Sequence, residues 1–190
     1  MVFAEHGYAK SSVDEIIKAA DISKGSLFYY FESKKNFFVY LYEYSGRKME
    51  QLIDSPGPEG KPSYMEYTDF FERLNAVHCL KLRCSLEHPH MNRFMKRAAF
   101  ETAPAVRQTI TAVNSRYTKE RATLFFQELD CSKFKEGIDP KMVIQLLAWT
   151  SEGCANQMLG EPAPDFNELN RLYFSYVEMF RKNFYKEKYL

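Results

Sequence analysis

The chain has 190 residues, 45% of them apolar and 27% charged, a balance that excludes a disordered chain and fits one compact domain or a small domain joined to a larger one. A net charge of +1 excludes a polycation that would hold nucleic acid by bulk charge. No apolar run approaches a membrane span, MVFAEHGY lacks the regions of a signal peptide, and Cys79, Cys84, Cys131 and Cys154 follow no CxxC pattern, so reduced thiols and a cytoplasmic location are expected.

The apolar pattern is helical throughout. A stub at about 1–6 is followed by short helices at about 12–19 and 24–30 and longer ones near 34–54, 63–87, 90–100, 104–129, 140–159 and 166–186. Capping boxes are read at Ser12–Glu15, Ser63–Glu66 and Asp165–Glu168, and Asp139-Pro140 is an N-cap with proline at the first helical position. Residues 55–62, SPGPEGKP, are the clearest linker.

Residues 12–31 fit a helix-turn-helix. The first helix is expected to bury Val13, Ile16 and Ala20, the small Ala20 permitting close approach, with Asp21 in a left-handed turn and Ile22 plugging the corner. The second helix then buries Leu27 and Phe31, which sends Lys24, Ser26, Phe28 and Tyr29 outward and leaves Tyr30 at the edge. A short helix of this kind can enter a major groove. Gly25 and Ser26 allow close approach, Lys24 can donate to guanine, and Phe28 and Tyr29 can touch thymine methyls. Lys34, in the first turn of the next helix, is placed for a phosphate. Residues 24–48 hold Lys24, Lys34, Lys35, Arg47 and Lys48 against Glu32 and Glu43, while the stretch before them is slightly acidic.

FAEHGY followed by SSVDEIIKAADISKGSLFYYFESKKNFF resembles the DNA-binding domain of TetR-type repressors over about the first 40 residues. The resemblance implies an all-α chain, with a helix-turn-helix domain at 1–45 and a helical ligand-binding and dimerisation domain at 46–190. It implies phosphate contacts for Ser12, Tyr30 and Lys34, and base or groove contacts for Lys24, Gly25, Ser26 and Tyr29. Phe28 stands where the family usually has tyrosine, and Asp21 where it usually has glycine. The family's first helix is about four turns long, so residues preceding Met1 are expected to be missing from this chain.

In the larger part, Tyr67, Phe70, Phe71, Leu74, Val77 and His78 form one helical stripe, and Val106, Ile110, Val113 and Tyr117 another. A third runs through Phe166, Leu169, Tyr173, Tyr176, Phe180 and Phe184. The segment from Asp139 to Gly160 is apolar on more than one face, which predicts a homodimer through the last two helices as a four-helix bundle. An effector pocket is expected among Phe70, Phe71, Leu74, His78, Phe94, Phe125, Trp149 and Glu152, with His78 and Glu152 as polar groups inside an aromatic lining.

His78, Cys79, Cys84, Glu87, His88 and His90 crowd together in sequence, but their helical spacing spreads them over more than one turn, and no metal or cofactor is expected. No nucleophile, glycine-rich phosphate loop or carboxylate pair marks an enzyme. The expected function is a ligand-responsive transcriptional regulator on a palindromic operator of double-stranded DNA, a repressor released by a small apolar or aromatic effector. The alternatives are a helical small-molecule binder or enzyme without sequence-specific DNA binding, and a sensor acting through Cys79 and Cys84.

Overall fold

The computed structural model of the protein describes residues 1–157 and 166–190. Asp165 of the third predicted capping box, residues 158–159 of the predicted 140–159 helix and Gly160 lie outside the described residues, as do the side chains of Ala155 and Phe166. The described residues form α1 (Val2–Lys10), α2 (Val13–Ala20), α3 (Lys24–Phe31), α4 (Lys34–Ile53), α5 (Phe70–Glu87), α6 (Pro89–Ala99), α7 (Pro104–Phe125), α8 (Pro140–Gln157) and α9 (Phe166–Phe184). Beta pairing among them is confined to isolated bridges. The all-α expectation holds.

Three boundaries differ from the sequence reading. The predicted helix at 63–87 is split: Ser63–Glu66 is a single 3-10 turn, and α5 begins only at Phe70. The physical reason is Asp69, whose Oδ1 accepts from the amides of Phe71 and Glu72 at 3.0 Å each and so caps a fresh N-terminus. Tyr67, predicted on the buried stripe, consequently lies in the connection and is exposed. The helix predicted to reach 129 ends at Phe125. Gly7, at φ 70 and ψ −171, breaks α1 near its middle, a conformation that glycine adopts without steric cost.

Two aromatic clusters carry most of the core. The first joins Phe3 and Ala4 of α1, Ile16 of α2, Leu27 of α3, Phe38 and Tyr42 of α4, Phe94 and Ala98 of α6, and Val106, Ile110 and Val113 of α7. The second gathers Phe70, Phe71 and Leu74 of α5, Phe125 of α7, Phe134 of the α7–α8 connection, Val143 and Leu147 of α8, Tyr173 and Val177 of α9, and Tyr185. The predicted boundary between residues 45 and 46 falls inside α4, which runs without interruption from one cluster toward the other.

Between the clusters α4 lies along α7. The Tyr42 hydroxyl donates to Asn114, and Gly46 sits so close to the Tyr117 ring that an added Cβ would meet it at 3.1 Å. Arg121 grips Asp54, just past the α4 C-terminus, with both guanidinium nitrogens at 2.5 and 2.7 Å.

Two buried charges organise the far end. Arg73, fully buried, donates to the carbonyls of Tyr67, Phe125, Gln127 and Met65, and so closes the α7 C-terminus onto the start of α5. Asp69 Oδ2 accepts from the Lys133 ammonium at 2.7 Å and the Tyr185 hydroxyl at 3.1 Å. Burial alone would raise the Asp69 carboxyl. Lys133, the Glu72 amide and Tyr185 outweigh it and hold the group below the ordinary 3.8.

A carboxyl whose folded pKa lies below its unfolded value stabilises the fold at neutral pH, and that contribution fades as pH falls through the folded value. Urea denaturation should therefore show stability declining from about pH 5 downward. Asp69→Asn should cost about 2–3 kcal/mol at pH 7, because Lys133 loses its counter-charge, and it should flatten that acid limb.

Candidate nucleic-acid interface

The helix-turn-helix is built by local capping. Ser12 opens α2 with a complete box: its hydroxyl accepts from the Glu15 amide at 3.1 Å, and the Glu15 carboxylate accepts from the Ser12 amide at 3.0 Å. That amide holds the Glu15 carboxyl below its usual range. Asp21 takes the left-handed conformation expected of it, at φ 53 and ψ 46. Ser23 caps α3, and its hydroxyl lies 2.8 Å from that of Ser26.

The turn is packed differently from the expectation. Ile22 is 39% exposed and so does not plug the corner, and Ala20 is exposed rather than pressed between helices. Ile16 and Leu27 carry the contact between α2 and α3, and Phe31 is only half-buried, against Phe37 and Tyr40. Two short helices have little inward surface, and one buried residue from each fills it.

The outward face of α3 is wider than the sequence reading, because Tyr30, expected at its edge, is also open. Lys24, Gly25, Ser26 and Phe28 are exposed, Tyr29 and Tyr30 are 82% and 75% exposed, and the two tyrosine rings meet edge to face at 5.1 Å. Large rings in water beside a lysine and small residues suit a groove contact. Lys24 is also tied to Asp14 of α2, Nζ to Oδ1 at 3.1 Å, a pairing that spacing alone does not reveal.

Lys34 is placed otherwise than its phosphate role suggested. Its ammonium donates to the carbonyls of Tyr8 and Ser11 at 2.8 Å each and lies 4.4 Å from the Tyr8 ring centroid. Two of its three N–H groups thus close the C-terminal end of α1 rather than standing free. The Tyr8 amide is held in turn by Glu101, between α6 and α7, at 2.7 Å. Sequence reasoning missed Glu101; its signal is weak, an acidic residue just before Thr102-Ala103, whose amides it also accepts.

The predicted effector residues do not form one pocket. Phe70, Phe71, Leu74 and Phe125 are buried in the second cluster as packing. Phe94 belongs to the first cluster, stacked on Phe3 and edge to face with Phe38. Trp149 is 58% exposed and Glu152 is exposed, because Val143 and Leu147 take the inward face of α8 and send these two outward. His78 is half-buried and stacked on Tyr173 at 3.9 Å, with Asn170 Oδ1 3.3 Å from its Nε2. Burial holds the His78 ring below its ordinary pKa. Recesses along α7, lined by Pro104, Arg107, Gln108, Thr111 and Ala112 and by Arg116 to Gln127, include none of the predicted residues. Among the described residues no three of His, Cys, Asp and Glu converge as metal ligands, and Cys79 is exposed while Cys84 is buried.

A capped helix-turn-helix presenting an open recognition helix, carried by a long helix into an α-helical body, defines a DNA-binding transcriptional regulator. Residues 1–41 match the sequence model of the bacterial regulatory proteins of the tetR family. The chain is 24% identical over 153 residues to the fatty acid metabolism regulator protein of Bacillus subtilis, spanning 78% of this chain and 73% of that one. Its fold is that of a protein from Rhodococcus sp. described as a TetR-family transcriptional regulator (TM-score 0.68, 14% identity, 94% of this chain and 91% of that one). It is also that of the ketosteroid transcriptional regulator KstR2 of Mycobacterium tuberculosis (TM-score 0.57, 18% identity, 98% and 90%). The head thus carries the sequence signature of the TetR family, and the described residues share the fold of its solved members.

The packing separates two kinds of substitution. Lys34→Ala should lower the melting temperature, at a cost of about 1–2 kcal/mol for the carbonyls it leaves unpaired. Tyr29→Ala, on an exposed ring, should leave the stability within about 0.5 kcal/mol of the parent while weakening operator binding. Thermal denaturation beside a DNA titration checks both.

Proposed function

We propose that the protein is a homodimeric repressor in the cytoplasm, whose two α3 helices read successive major grooves of a palindromic operator and are released by a small apolar effector. The observation that carries this reading is the exposed row Lys24, Gly25, Ser26, Phe28, Tyr29 and Tyr30 on a helix with only Leu27 buried. Lys24 and Tyr29 serve base edges, Ser12 and Tyr30 serve phosphates, and the remaining N–H of Lys34 is available to the backbone. Half-sites would lie about 34–36 Å apart, one helical turn of DNA, or somewhat more.

The dimer interface is assigned to α8 and α9. Met142, Leu146 and Trp149 recur at i, i+4 and i+7 on α8 and are all exposed, as are Leu172 and Met179 on α9. An apolar stripe on two adjacent helices suits a second copy across a two-fold axis. No helix among the described residues is long and apolar enough to cross a membrane.

The effector is assigned to the α5–α9 side of the second cluster, where ring-rich walls favour an apolar body. His78 and Asn75 lie one turn apart on α5, and Asn75 Oδ1 is buried with no hydrogen-bond partner among the described residues. A polar end carrying a donor would satisfy it. A relative named for fatty acid metabolism and a fold neighbour named for ketosteroids are in keeping with an apolar effector.

Two measurements test this. Selection from random duplexes by the purified protein should recover a palindrome; recovery of unrelated sequences would count against a sequence reader. Leu146→Arg combined with Trp149→Arg should give monomers in sedimentation velocity and lower operator affinity on the order of a hundredfold, the avidity lost with one head.

A further inference from the structure

We propose that Asp14 is a specificity-determining residue of the DNA interface: its carboxylate disfavours duplexes at large and is satisfied only where a base-edge amine meets it. The inference rests on the reading of α3 as the recognition helix.

Lys24 is the first residue of α3, and Asp14 is in the first turn of α2. Their side chains meet at 3.1 Å while remaining 58% and 77% exposed. The N-terminal residues of a recognition helix are those that reach base edges, so a carboxylate in contact with Lys24 stands at the same place. An exposed pair of this kind adds little to stability. Its consequence lies in what it presents to a polyanion.

Other groups on the head do not offset that charge. Residues 1–45 hold Lys10, Lys18, Lys24, Lys34 and Lys35 against Glu5, Asp14, Glu15, Asp21, Glu32 and Glu43, five cations against six carboxylates. Glu15 is turned back onto the Ser12 amide, and the Lys34 ammonium is held on the carbonyls of Tyr8 and Ser11. When Lys24 moves to DNA, Asp14 loses its partner and faces the phosphates alone.

On an arbitrary duplex Lys24 must choose between Asp14 and a phosphate or base, and either choice leaves one charge poorly matched. On a site that offers guanine N7 and O6 beside a cytosine N4 or adenine N6 amine, Lys24 donates and Asp14 accepts, so both are satisfied. The pair discriminates by making wrong sites worse as well as the right site better.

The test uses the full chain, the operator recovered by selection, and a random duplex of equal length, titrated by fluorescence anisotropy over a series of salt concentrations. Asp14→Asn should bind the random duplex on the order of three- to tenfold more tightly, a repulsion of ordinary surface size removed. Its salt slope should be steeper by about 0.9, one further phosphate neutralised by the freed Lys24. Operator affinity should stay level or fall, so the ratio of operator to random binding drops. Asp14→Glu keeps the charge and should keep random binding weak. Unchanged random binding in Asp14→Asn, equal tightening on both duplexes, or weakening on both overturns the assignment of Asp14. A parent chain that recovers no operator sinks the recognition-helix reading itself, and this inference with it.

Discussion

Phe38 is completely buried, with Phe3, Tyr8 and Phe94 packed against it edge to face at 4.9, 5.3 and 5.4 Å. These four rings come from α1, α4 and α6, and so from both sides of the division between reader and effector domain. The head is therefore not a separate globule on a hinge. A small three-helix head has too little surface to form a dry core of its own, and it completes one by borrowing α6 and α7. Any displacement of α6 is felt at once by the helix that carries the recognition element, because packed aromatic interiors transmit strain rather than absorb it.

The head was legible because its determinants are local. A capping box and a left-handed aspartate act within four residues of themselves, so Ser12–Glu15 and Asp21 are legible in the sequence. The exposure of Tyr29 follows from helical period with Leu27 and Phe31 inward, whereas Tyr30, expected at the edge, is as open as its neighbour. The errors there were of degree: the pattern marks Ile22 as apolar, but it cannot show that Ile16 and Leu27 already fill the space between two short helices.

The body was legible as helices and not as a site. Periodicity put Phe70, Phe71 and Leu74 on an inward stripe correctly. It gave no means of separating a wall from a core, and it put Phe94 with the wrong cluster, because which stripe meets which is decided by contacts between distant segments. Trp149 and Glu152 were misplaced for a related reason. A helix apolar on several faces has more than one candidate inward side, and Val143 and Leu147 settled the matter. Lys34, Asp14 and Glu101 share a different obscurity: each acts on a partner that tertiary packing brings near, and a lone charged residue carries no trace of that partner in its neighbours. Lys34 is instructive in that its ammonium seals α1 through carbonyls that lie more than twenty residues away in sequence.

At Gly46 α4 contributes no side chain of its own, and the Tyr117 ring of α7 lies directly against its backbone. This contact divides the helix unequally, with Lys34 twelve residues to one side and Ile53 seven to the other. At 1.5 Å per residue these arms measure about 18 and 10 Å. Were α4 to rock about this crossing, its two ends would swing in opposite senses, and the reading end would travel nearly twice as far as the end beside Asp54 and Arg121. Gly46 would then serve as the fulcrum of an uneven balance.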